Sequence, residues 1–177
     1  MTPELIAACS GAPLARATPF AEPLTAAMAE FGIDTPERQA AFLAQVGHET
    51  NGFLWLHELW GPTSAQTRYE FRVDLGNTQA GDGHRFLGRG LIQVTGRANY
   101  ARIGQELGLD LITNPTLLEQ PVPACRSAGV FWRDHNLNAL ADARDFETLT
   151  RRINGGENGL DDREKRWAGA RAALGLA

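Results

Sequence analysis

Apolar positions along this chain recur mostly at helical spacing. The opening Thr2-Pro3-Glu4 has the marks of a helix start, a capping hydroxyl followed by a first-turn proline and acid, and it leads into residues 5–9. Residues 19–31 are alanine-rich, with Leu24, Met28 and Phe31 on one face and Gly32 as the stop. Thr35-Pro36-Glu37 repeats the start signal. Phe42, Leu43 and Val46 then form the buried stripe of a helix that ends near His48-Glu49, and Asn51-Gly52 breaks it. Further on, Thr95 is placed to cap a helix running through Tyr100, Ile103 and Leu107 to Gly108, and Asn114-Pro115 opens a short one. Residues 123–135 carry Ala124, Ala128, Phe131 and Trp132 at helical spacing, and residues 145–153 and 161–174 supply the last two helices. Strand character is confined to 53–57 and 91–94, with no β-α-β alternation or repeat. Residues 72–85, rich in Gly, Asn and Asp, read as a long surface loop or flap. The pattern predicts an all-α chain with at most a few short strands, folded as one domain over residues 1–177.

Composition narrows the classes. With 177 residues, 43% hydrophobic and 21% charged, the chain can bury a core without a metal or a disulfide. Net charge is −4 and the 17 basic residues are scattered, which argues against nucleic-acid binding by bulk attraction. Cys9 and Cys125 are too few for a disulfide framework and lack the Cys-x-x-Cys spacing of a metal site, so no required disulfide and no cofactor is expected. No basic segment precedes an apolar run at the start, as it would in a secretory leader, and no 18-residue apolar stretch predicts membrane insertion.

Three blocks carry candidate chemistry. In the first, Glu49 ends an apolar helix just before the break at Asn51-Gly52. A carboxyl beside the core is partly desolvated, which favours the protonated form that a glycosidase acid needs. A helix C-terminus is also a poor place for an anion without a role. His48 reads as a hydrogen-bonding support. Glu58 is the natural second carboxylate. On one continuous helix it would lie about 13 Å along the axis and roughly half a turn round from Glu49, so only a chain folding back after Asn51-Gly52 brings the two together. Thr63 and Ser64 follow closely and could orient a water. In the second block, two glycines flank Arg89, and Gln93 and Thr95 alternate with Ile92 and Val94, so the polar pair would face one side of an extended piece; Asn99 and Tyr100 lie one turn on. Amides, hydroxyls and an aromatic ring suit sugar recognition, whereas the Gly-Lys-Ser/Thr of a phosphate loop is missing. The third block, Asn154-Gly155-Gly156-Glu157-Asn158-Gly159 followed by Arg163, is a helix stop unusually rich in Gly and Asn.

Taken in order, His-Glu-Thr-x-Gly-Phe at 48–53, Gly-Arg-Gly-Leu-Ile-Gln-x-Thr-x-x-x-Asn-Tyr at 88–100 and Ile-Asn-Gly-Gly-x-Asn-Gly at 153–159 resemble glycoside hydrolase family 19, its chitinases and, more closely, its phage-type endolysins. The resemblance implies a lysozyme-like helical fold with a catalytic cleft and an inverting hydrolase without cofactor. It puts the catalytic acid on Glu49, the second carboxylate on Glu58 and the hydroxyl that holds the attacking water on Thr95. Gln93, Asn99 and Asn154 fall on sugar-contacting positions, with His48, Thr63, Ser64, Arg89, Tyr100 and Arg163 as further candidates around the substrate. The plant chitinases carry a longer insertion between their acids and disulfides that this sequence cannot form. The compact chain is similar to a phage or prophage lysis enzyme, a monomer made in the bacterial cytoplasm and released through a membrane pore to cut peptidoglycan glycan strands during host lysis. Arg68, Arg72, Arg85, Arg89 and Arg97, gathered near these blocks, are expected to form a local basic lining. A chitinase shares the whole catalytic set, and a secreted wall-degrading toxin shares its chemistry. A lytic transglycosylase would leave Glu58 and Thr95 unexplained, and a wall-binding module would not need Glu49.

Overall fold

The computed structural model describes residues 1–176. In chain order its helices are α1 (Pro3–Ser10), α2 (Leu14–Glu30), α3 (Pro36–Glu49), α4 (Ser64–Thr67), α5 (Asp82–Arg85), α6 (Arg97–Leu107), α7 (Pro121–Asp134), α8 (Leu137–Asp142), α9 (Phe146–Asn154) and α10 (Leu160–Ala173), with 3-10 turns at Val73–Leu75 and Pro115–Glu119. The fold is helical, as the periodicity predicts. Both hydroxyl start signals act as read: Thr2 Oγ1 accepts the Leu5 N–H and Thr35 Oγ1 the Arg38 N–H, each at 3.3 Å, with a proline in the first turn.

The core is built around α3, whose residues from Ala40 to Gly47 are all buried. α1 and α10 pack along it, and Phe42 meets Trp132 of α7 edge-on at 5.1 Å between ring centres. Close approach of α1 depends on Gly47, where a Cβ would lie 2.1 Å from the Ser10 carbonyl oxygen. α2 begins at Leu14, ahead of the expected residue 19, and holds Pro19 and Pro23 inside it. Each proline removes a backbone donor, but Ala17, Phe20, Ala21, Leu24, Ala27 and Met28 are buried against α1 and α7, and tertiary packing prevails over propensity. Cys9 and Cys125 are free, buried thiols; burial pushes Cys9 up to about 11 and Cys125 further. No helix among the described residues is long and apolar enough to cross a membrane.

Four further expectations change. The two short strand stretches reduce to single bridges, His57 opposite Arg89 and Arg89 opposite Val94. Residues 89–94 are a tight turn closed by paired Arg89 and Val94 backbone hydrogen bonds, with Gln93 at φ +41°, so Gln93 and Thr95 do not sit on one face of an extended piece. Thr95 does not cap α6. Its Oγ1 donates to the Gln93 carbonyl, the cap residue is Gly96 at φ +91°, and the Arg97 N–H is taken by Asn77 Oδ1 at 2.8 Å. Residues 72–85 are not a free flap, because their polar side chains are internal ligands. Asn77 is fully buried and also donates to the Tyr69 carbonyl, Asp82 accepts the N–H groups of Thr78 and Gln79 and pairs with Arg97, and Glu70 accepts those of Gly81 and Gly83.

Candidate active site

The chain reverses just past Glu49. Asn51, Gly52 and Phe53 all take positive φ (48°, 64° and 60°), a run that ends α3 and turns the backbone. The fully buried Thr50 organises this turn: its Oγ1 donates to the Val46 carbonyl (2.6 Å) and accepts the Phe53 N–H (2.8 Å), and its carbonyl accepts from Leu54 and Trp55. Phe53 then stacks on Phe20 at 4.9 Å and anchors the returning chain to the core. That segment is stitched to the Gly88–Gly90 stretch by Glu58 N–H to the Gly88 carbonyl and Gly90 N–H to the Leu56 carbonyl, both 2.9 Å.

As a result Glu49 and Glu58 line one shallow groove of about 370 Å³ with Trp55, His57, Leu59 and Gln93. Each carboxylate has its own buried brace. Glu49 Oε1 accepts from Nη2 of Arg163 at 2.6 Å, and Arg163 is only 1% exposed. The same guanidinium donates to Gln45 Oε1 and to the Asn158 carbonyl, and Gln45 Nε2 donates to Thr150 Oγ1 at 2.8 Å. The helix end that read as an apolar setting for Glu49 therefore contains a buried cation. Glu58 Oε1 accepts from Gln66 Nε2 at 3.0 Å and from the Tyr69 hydroxyl at 3.5 Å, while among the described residues Oε2 meets only the Gly88 N–H at a long 3.4 Å.

Gly88 is the hub between the second glutamate and the sugar-type side chains. A Cβ there would lie 2.6 Å from Gln93 Oε1 and 3.2 Å from Thr95 Oγ1, so both side chains crowd the residue whose N–H faces Glu58. Past Gln93 the surface continues into a second hollow of about 280 Å³ that includes Ile92, Thr95, Asn99 and Phe131.

The structure thus gathers Glu49, Glu58, Gln93, Thr95 and Asn99 around adjoining hollows. Other candidates lie elsewhere. His48 Nδ1 pairs with Asp162 Oδ2 at 2.7 Å, its ring against Gly159, which turns it toward α10. Thr63 caps α4 and Ser64 follows it on the exposed surface. Arg89 and Tyr100 are braces where substrate contact was expected: both are buried, Arg89 bonds Glu119, the Arg85 carbonyl and the Tyr100 hydroxyl, and that hydroxyl donates to the Leu87 carbonyl. Burial pushes the Tyr100 phenol up to about 12. Asn154 exchanges 3.3 Å hydrogen bonds with Asn158, and Arg163 works behind Glu49. The expected basic lining is not what the arginines form. Arg72 pairs with Asp74, Arg97 with Asp82, Arg89 with Glu119, and Arg85 binds the carbonyls of Ile112 and Thr113, while Arg68 is exposed. In a net-acidic chain these cations have carboxylates and carbonyls close by to pair with, and for the buried Arg89 a missing partner would be costly.

Sequence reasoning passed over Gln45, Thr50, Gln66 and Glu119. Gln45 was legible as the polar residue one turn before Glu49 on an apolar face, and Gln66 as the third residue after Thr63 in a capping box. Glu119, which holds both His57 (3.1 Å) and Arg89 (2.7 Å), has no local signal, because its partners lie far away in sequence.

The family model described as chitinase class I matches residues 16–143. A glycosyl hydrolase family 19 domain-containing protein of Haemophilus influenzae is 32% identical over 169 residues, covering 80% of this chain and 82% of its own length. An endochitinase of Arabidopsis thaliana is 36% identical over 119 residues, which is 67% of this chain but only 39% of the plant protein. The chain spans less than half the length of the plant chitinases it matches. Among solved structures, chitinase C from Streptomyces griseus superposes with a TM-score of 0.77 at 26% identity, covering 99% of this chain and 77% of that one. A bacterial family 19 chitinase superposes at 0.79, covering 99% and 95%; its 22% identity speaks for the fold alone.

Proposed function

This chain belongs to glycoside hydrolase family 19, the family of the class I chitinases, and hydrolyses glycosidic bonds; from that premise we propose that its substrate is bacterial peptidoglycan, cut at β-1,4 bonds with inversion of configuration. The observation that carries the reading is the pair of glutamates, nine positions apart, facing one groove, each with a separate buried brace. Two carboxyls across a sugar-sized groove suit the division of labour of an inverting glycosidase. Glu49 gives its proton to the departing glycosidic oxygen. Glu58 takes a proton from a water, whose oxygen bonds to the anomeric carbon from the opposite face. Thr95 and Gln93, crowded onto Gly88 beside Glu58, hold the water and the sugar's acetamido group.

The open form of the groove supports peptidoglycan over chitin, because every second sugar of peptidoglycan carries a lactyl-peptide arm that needs an unwalled side. Lysis of a bacterial host is the setting this fits. The names of the similar proteins favour a second reading, in which chitin is the substrate. One assay separates them: turbidity loss of outer-membrane-permeabilised cells measured beside fragment release from a chitin oligomer. Faster wall cleavage is expected, and comparable or faster chitin cleavage would make this a compact chitinase. Proton NMR of the first product should show inverted anomers; retained configuration or 1,6-anhydro ends would exclude the mechanism.

A further inference from the structure

The loop that follows Glu58 closes around one buried side chain. Gln66 is 3% exposed, and its carboxamide makes four hydrogen bonds. The oxygen accepts the N–H groups of Gly61 (3.1 Å) and Thr63 (2.8 Å). The nitrogen donates to the Leu59 carbonyl (2.7 Å) and to Glu58 Oε1 (3.0 Å). Two backbone donors on the oxygen leave the amide only one orientation, so its NH2 must face Glu58. The oxygen folds the loop, and the nitrogen both closes it on the Leu59 carbonyl and addresses the carboxylate.

We propose that Gln66 is the positioning residue of the general base: its amide, helped by the Tyr69 hydroxyl, occupies Glu58 Oε1 and leaves Oε2 to receive the proton of the attacking water. Tyr69 stays a donor, since burial first and the charge of Glu58 second hold its phenol above the ordinary range. Donors aimed at one oxygen favour the charged carboxylate and fix its plane. The other oxygen, met among the described residues only by the long 3.4 Å contact from Gly88, keeps a lone pair for the water's proton. The inference rests on the base role proposed for Glu58.

Gln66→Glu tests the amide nitrogen while sparing the oxygen's two bonds. A carboxylate keeps the acceptor that the Gly61 and Thr63 N–H groups need, but loses the donors facing Glu58 and the Leu59 carbonyl, so melting is measured alongside turnover. Measured on the whole chain, kcat near neutral pH should fall about ten- to a hundredfold, the range of a lost hydrogen bond to a charged group. KM should change little, and the pH optimum should move toward acid, where a proton shared by the two carboxyls restores a donor. Wild-type kcat with an unchanged pH profile would overturn the proposal, as would a loss that merely follows a lowered melting temperature. Should Gln66→Glu not fold, Tyr69→Phe removes the other donor on Oε1 and leaves the Gln66 bonds in place. A fall in kcat at constant KM then supports the proposal, and wild-type kcat and pH profile overturn it. Glu58→Gln is assayed in parallel. Substantial activity in that variant removes the base role itself, whereas an inactive Glu58→Gln beside an unaffected Gln66→Glu removes only the role of Gln66.

Discussion

At the scale of single residues, the site is two carboxylates whose surroundings differ in kind. Glu49 is bound to a cation that is almost wholly buried, and that cation is itself held by Gln45 and the Asn158 carbonyl. Glu58 is held by neutral donors, Gln66 and Tyr69. Glu49→Gln keeps the shape and the hydrogen bond from Arg163 but deletes the transferable proton. Turnover should drop by ~100-fold or more, and melting should fall as well, because the buried Arg163 loses its counter-charge; substantial residual turnover at a temperature where the variant keeps a native circular-dichroism spectrum would remove Glu49 from the acid role. The positions of both acids were legible in the sequence, one as a carboxyl ending an apolar helix and the other as the next acid beyond a chain break. Their braces were less so. A buried glutamine reveals itself only through what surrounds it, and Arg163 meets Glu49 across more than a hundred residues of chain.

At the scale of elements, the groove depends on how closely the helices around α3 approach. α3 carries Glu49 on its last residue, and its neighbour α1 sits against Gly47. Gly47→Ala would drive a methyl into the Ser10 carbonyl, a backbone atom that cannot swing aside as a side-chain tip would. The expected cost is about 1–3 kcal/mol, the range of an overpacked core. Urea unfolding measures it, and a wild-type midpoint would mean that the two helices are free to slide. Helix starts were well read because Thr2 and Thr35 act locally, through a hydroxyl and an N–H three residues away. The start of α2 was missed because its prolines signal a break, while its buried face packs against partners from elsewhere in the chain. Residues 72–85 were misread for the related reason that Asn and Asp favour loops when solvated, whereas here Asn77 and Asp82 are ligands to α6.

At the scale of the whole molecule, those internal pairs make stability sensitive to acid. Asp82 is 1% exposed, and the Arg97 guanidinium, with the backbone N–H groups of Gln79 and Thr78, holds its carboxyl below the usual value of 3.8. A folded-state value below the unfolded one stabilises above pH 3.8 and loses that contribution as pH falls through the folded value. Asp82→Asn should therefore cost about 2–4 kcal/mol at pH 7, with the difference shrinking in strong acid; a gap in urea midpoints that stayed constant with pH would mean that the pair is not what stabilises the segment. The sequence by itself determined the helical architecture, the order of the three motif blocks and the two acids with their chain break, because periodicity, capping and turn chemistry act over a few residues. Only the tertiary structure decided that the reversal at 51–53 sets both acids on one groove, that Gly88 gathers Gln93 and Thr95 beside Glu58, that Arg89 and Tyr100 are buried, and that the neighbouring arginines Arg72, Arg85 and Arg97 are tied to carboxylates or carbonyls of their own surroundings. Those outcomes depend on partners distant in sequence, and a polar side chain turns toward substrate or toward the core according to which acceptors folding brings within reach.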